Sequence, residues 1–66
     1  MKRKDFIKFL ILNGCLELRE GANHTIFINV EKKKSSTVPR HNEIDDFLVR
    51  KICKDLNIEN PFKRLK

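Results

Sequence analysis

Apolar positions repeat with a helical period at both ends of the chain and with a period of two in between. Phe6, Phe9, Leu10 and Asn13 fall at helical spacing within Lys4 to Asn13, and Ile7 and Ile11 widen the stripe. This predicts a first helix, with Asp5 suited to its positive end and Gly14 a left-handed stop. Cys15 to Glu20 then alternates, with Leu16 and Leu18 on one side and Glu17 and Arg19 on the other, as in a half-buried strand. Gly21, Ala22 and Asn23 tolerate positive φ and turn the chain into a second strand, His24 to Val30, rich in β-branched and aromatic residues. On it Ile26, Ile28 and Val30 share a face with His24, while Thr25, Phe27 and Asn29 share the other. If the isoleucines point at the core, His24 is the last residue of the buried face before the sheet ends.

The second half follows the same logic. Glu31 to Ser36 reads as a charged hairpin loop and Thr37 to Pro39 as a short third strand. Pro39 lacks the N–H of a central ladder position and belongs at a strand end or on an edge. After the exit turn Arg40-His41-Asn42, Asp45 is the expected N-cap of a second helix, with Glu43 and Asp46 near its positive end. Leu48, Val49, Ile52, Cys53 and Leu56 form its core-facing stripe, and Arg50, Lys51 and Lys54 face outward. Asn57 can end this helix in the left-handed conformation. Pro61 fits a terminal turn from which Phe62 docks back, and Lys63, Arg64 and Lys66 make a basic, mobile tail. The order helix, three strands, helix gives an α+β fold. Its simplest packing is a three-stranded antiparallel sheet with both helices on one face, an αβββα arrangement like that of double-stranded-RNA-binding domains.

Length and charge narrow the function. Sixty-six residues make a single domain, 1–66, with little room for an enclosed pocket and no cavity for a large cofactor. Any site is shallow and on the surface. Lys and Arg total 15 against 9 Asp and Glu, a net charge of +6. That surplus is clustered, and it favours a polyanion, RNA or DNA ahead of a membrane surface, over a charge that merely keeps the chain soluble. Lys32, Lys33 and Lys34 suit either a backbone phosphate or simple solvation of a loop tip. Cys15 and Cys53 form no Cys-x-x-Cys, and Phe9 to Leu12 is too short for a signal core or a membrane span. These features point to a reduced, cytoplasmic protein.

Two histidines are the only candidates for acid–base chemistry near neutral pH. His24 sits where a turn opens into a strand. It is either a proton-transfer group or a polar residue at a strand end. Burial would lower its pKa and a nearby phosphate would raise it. His41 reads first as a turn residue bonded to backbone. Cys15, His24, His41 and Cys53 match no compact metal-ligand spacing, so no metal and no cofactor are expected.

Three segments together carry a family resemblance. They are Gly14…Arg19…Gly21-x-x-His24-Thr25-Ile26-Phe27-x-Asn29, then Val38-Pro39-Arg40-His41-x-Glu43-Ile44, then Arg50-Lys51-Ile52-Cys53-Lys54-x-Leu56. In this order, over nearly the whole chain, they resemble the HicA toxins of toxin–antitoxin pairs. The sequence departs from the family where Ala22-Asn23 precedes the histidine in place of Gly-Ser. The resemblance implies an mRNA interferase, a metal-independent endoribonuclease, with His24 at the position of the catalytic histidine. It also implies a HicB-type antitoxin that covers the sheet. RNA binding is expected from Lys32, Lys33, Lys34, Arg40 and His41, the last two as helpers of His24. The alternatives are a module of the same fold that binds RNA without cutting it, and a pure interaction domain.

Overall fold

The computed structural model describes residues 1–62. The elements run α1 (Arg3–Leu12), β1 (Cys15–Glu20), β2 (His24–Asn29), β3 (Lys34–Pro39) and α2 (Asp46–Asp55). The strands form one antiparallel sheet in the order β1-β2-β3, and the expected αβββα fold is what the chain adopts. The basic tail expected at Lys63, Arg64 and Lys66 lies outside the described residues.

Both helices pack on one face of the sheet. Phe6 and Leu10 of α1, Cys15, Phe27 and Val38 of the sheet, and Val49, Ile52 and Cys53 of α2 close a single core with Ile44 and Leu56. Gly14 takes φ +85° after α1, the left-handed stop expected of it. Asn57 plays that part after α2 at φ 61°. Asp45 is the N-cap of α2, but its side chain makes no capping bond. Phe62 is half-buried, and the Arg50 guanidinium lies 5.3 Å from its ring centroid.

Three expectations are corrected. The face of β2 that points inward is Thr25, Phe27 and Asn29, so His24, Ile26 and Ile28 line the open face. The aromatic ring decides it together with two satisfied polar groups. Asn29 Nδ2 donates to the Leu56 carbonyl at 2.8 Å, and Thr25 Oγ1 accepts from Arg3 at 3.0 Å. A buried polar side chain with its partner in place costs little, so the larger Phe27 ring takes the core. The leucines of β1 follow the isoleucines outward. Leu16 pairs with Ile28, Leu16 and Leu18 are each more than half exposed, and a bulge between Glu17 and Arg19 breaks the alternation.

The second correction concerns β3, which starts at Lys34 and not at Thr37. The turn shrinks to Val30–Lys33, closed by the Lys33 N–H donating to Asn29 O at 2.7 Å, with Lys33 at φ 58°. Thirdly, no residue of the Gly21-Ala22-Asn23 turn takes positive φ. The Gly21 N–H instead donates to His24 O at 2.7 Å and closes the hairpin from negative-φ geometry.

The inward face assignment has a direct test. Phe27→Ala should cost about 3–5 kcal/mol, whereas Ile28→Ala on the open face should cost less than half as much. Chemical denaturation of the two variants measures both, and equal losses would contradict the assignment. The buried thiols supply a second test. Burial raises the Cys15 pKa, and burial with Cys15 beside it pushes Cys53 up to about 11. The folded thiol keeps its proton while the unfolded one gives it up near 9.0. Its contribution to stability is therefore intact below pH 9 and declines as pH rises from there toward about 11. Cys53→Ala should flatten that decline in a pH series of thermal melts.

Candidate active site

His24 opens β2, where the hairpin turn fixes its backbone and the pairing with Pro39 sets its row in the sheet. Its ring is exposed on the open face, beside Ile26 and Ile28, and bonds to no other described residue. The imidazole is therefore neither a core residue nor a structural strut. Both ring nitrogens remain available to an incoming group.

What holds this end of the sheet is Arg3, the first residue of α1. Arg3 Nε donates to the Pro39 carbonyl at 2.9 Å, and Arg3 Nη2 donates to Thr25 Oγ1 at 3.0 Å. Pro39 stands opposite His24 and Thr25 follows it in the chain. One planar guanidinium thus ties α1 to the two backbone positions that flank the histidine, on the face opposite its ring. Helical periodicity cannot show this, because Arg3 lies off the apolar stripe and its partners are remote in sequence.

Arg40 leaves β3 one residue beyond Pro39 and forms an ion pair with Glu20 at the end of β1. The pair links the two outer strands at the end where His24 begins the middle one. His41 is exposed in the segment that follows, without a partner among the described residues. Arg40 and His41 are thus brought to the His24 end of the sheet. The three lysines are not. Lys34 pairs with Asn29, and Lys32 and Lys33 lie in the turn beyond it, at the opposite end. Five residue steps along β2 separate the two ends by about 17 Å, so one phosphate cannot meet both.

No group of three or more His, Cys, Asp or Glu residues among those described is placed to hold a metal ion. A groove of about 440 Å³ beside the first turn of α1 is lined by Lys2, Arg3, Lys4, Asn42 and Glu43. It holds cations and a carboxylate together, and its Arg3 is already committed to the sheet.

The family model that describes the HicA toxin of bacterial toxin–antitoxin systems matches residues 3–58. The chain belongs to the HicA toxin family. Searches of the curated proteins and of the solved structures each return no significant match. Membership makes the chain the toxin of a toxin–antitoxin system, and it implies an antitoxin partner. The match spans α1 through α2, so His24, Arg3 and Arg40 all lie within the family's own fold. No helix among the described residues is long and apolar enough to cross a membrane.

The Arg3 clamp should be locally detectable. Arg3→Gln should lower stability by about 1–2 kcal/mol, the usual cost of lost bonds to partly buried acceptors. Amide exchange at Thr25 and Val38, beside the clamp, should speed up while that at Phe27 and Ile28 holds. Uniform acceleration along β2 would make Arg3 a general stabiliser and not a local brace.

Proposed function

We propose that this HicA-family toxin is a metal-independent endoribonuclease, an mRNA interferase in which His24 transfers the proton. The observation that carries this reading is the imidazole at the end of an open sheet face, without a partner among the described residues and braced from behind by Arg3. RNA brings its own nucleophile. The 2′-oxygen attacks the adjacent phosphorus and the bond to the 5′-oxygen breaks, leaving a cyclic phosphate and a 5′-hydroxyl. One proton leaves the 2′-hydroxyl and one arrives at the 5′-oxygen, and an imidazole within reach serves either transfer. Arg40, at the same end of the sheet, is suited to the charge that builds on the phosphate oxygens. His41, exposed in the segment that follows Arg40, would be a second proton carrier at this end. Lys32, Lys33 and Lys34 would hold a different phosphate of the same strand, at the far end of the sheet.

The partner reading follows from the same face. Leu16, Leu18, Ile26 and Ile28 make an apolar surface next to His24. A HicB-type antitoxin that covers this surface in the cytoplasm would bury the leucines and block RNA in one step. A module of the same fold that holds RNA without cutting it is the principal alternative.

The decisive experiment uses purified protein, single-stranded RNA and excess EDTA. Wild type should cut, and His24→Ala should reduce cutting by at least about a hundredfold, in the range general acid–base catalysis supplies, while RNA affinity changes little. Cutting that needs a divalent ion, or that survives the substitution, would defeat the proposal. Binding without cutting by wild type would favour the alternative.

A further inference from the structure

The outward face of α2 carries a second feature that the proton-transfer site does not use. Phe47 is 71% exposed, an uncommon setting for a phenylalanine on a helix in a domain with so few apolar side chains to spare. With Arg50, Lys51 and Lys54 it lines a groove of about 490 Å³. The spacing i, i+3, i+4, i+7 puts all four residues in one row, about 10 Å long at the rise of an α-helix. No carboxylate lines the groove. Acids stand at both ends of this row. Asp46, beside Phe47, pairs with the N-terminal ammonium at 3.7 Å. Asp55 Oδ2 accepts from Ser36 Oγ at 3.1 Å and pairs with Lys51 Nζ at 3.3 Å, which leaves Arg50 and Lys54 as the cations without a carboxylate partner among the described residues. Arg50 is pre-oriented by its position 5.3 Å from the Phe62 ring centroid, which leaves the edge of the guanidinium open.

An exposed aromatic ring beside a row of cations is the chemistry of a single-stranded nucleic-acid platform. A base stacks on the ring and the flanking phosphates meet the cations. An apolar partner surface would not call for three cations around the ring, and a double helix would offer no unpaired base to stack on it. We propose that Phe47, Arg50, Lys51 and Lys54 form an accessory binding site for one unpaired nucleotide of RNA, on the face of the molecule opposite His24. The proposal rests on RNA being the bound polymer, as the proposed function has it, but not on cleavage. Asn29 of β2 meets Leu56 at the C-terminal end of α2, so the N-terminal end of the helix, with Phe47, lies toward the His24 end. A strand bound at both sites passes around that end of the molecule.

The chain contains no Trp and no Tyr, so Phe47→Trp installs a lone indole in the groove. Fluorescence is read in a His24→Ala background, which keeps the RNA whole. A single-stranded RNA oligonucleotide should quench the indole saturably. An abasic oligonucleotide of equal charge should quench it far less. Separately, Phe47→Ala should weaken RNA binding about tenfold by anisotropy, within the usual range for loss of one stacked base. Lys54→Gln should lower the salt dependence by about 0.7 in slope, one single-strand phosphate contact. Equal quenching by the abasic strand would reduce the site to charge alone and overturn the proposal. So would a silent indole while anisotropy reports bound RNA. An emission shift driven by protein concentration, or by an antitoxin protein in the absence of RNA, would reassign the groove to a protein contact. Wild-type cleavage is assayed independently, so a silent indole with cleavage intact refutes only the platform. A quenched indole without cleavage refutes only the nuclease.

Discussion

The orientation of β2 decides what this molecule can present to the outside. The strand offers two faces of similar apolar weight, and the sheet can cover only one with helices. Arg3 and the Leu56 carbonyl provide partners for Thr25 and Asn29, which lets a face with two polar side chains go inward around Phe27. Had the isoleucines gone in, His24 would have followed them toward the helices, and its ring would need a buried partner. The hydrogen bonds that bury Thr25 and Asn29 are thus what leave the imidazole in solvent. The candidate site is a consequence of how the core was closed.

The two outer strands are finished differently. β3 ends in Pro39 and begins with a lysine, features that discourage further pairing along an edge. β1 carries a bulge at Leu18 and leaves two leucines half-exposed on the open face. Ile11 and Leu12 at the end of α1 and Val30 in the next turn are exposed as well. Apart from Phe47 on α2, the hydrophobic surface left uncovered is thereby gathered on the β1 side and the open face. In a domain this small such a surface weakens the isolated chain, because the area is not removed from water until something covers it. A toxin that has an antitoxin partner gains part of its stability in the complex by mass action.

Much of the architecture was legible in the chain. The helical stripes, the β1–β2 hairpin, the left-handed stops at Gly14 and Asn57 and the edge position of Pro39 follow from local chemistry, which acts over a few residues. The inward face of β2 was not, because a period of two defines faces without ranking them. The ranking came from Arg3, 22 residues before Thr25, and from Leu56, 27 residues after Asn29. The same distance in sequence hid the role of Arg3 beside His24. The position of His24 at a strand start was readable, and so were Arg50, Lys51 and Lys54 as an outward row, whereas the exposure of Phe47 beside them needed the structure, because an aromatic side chain on a helix is as readily buried. The placement of Lys32, Lys33 and Lys34 at the far end of the sheet needed the register, which Asn29 and Lys34 fix only once β3 is known to begin six residues before Arg40.

A free imidazole on an apolar face also constrains any protein that covers it. An apolar partner surface pressed over His24 would strip water from two ring nitrogens and return no hydrogen bond, at a cost of about 1–3 kcal/mol. That penalty would offset the burial of roughly one exposed leucine. A partner that covers the face tightly must therefore bring a polar group to the ring, or stop short and leave the histidine at a wet rim. Carboxylate is the economical choice, since it accepts from the imidazole and also answers the net charge of +6 on the chain. That carboxylate would carry the same sign as an RNA phosphate, so under the proposed function antitoxin and RNA would compete for the His24 end of the sheet.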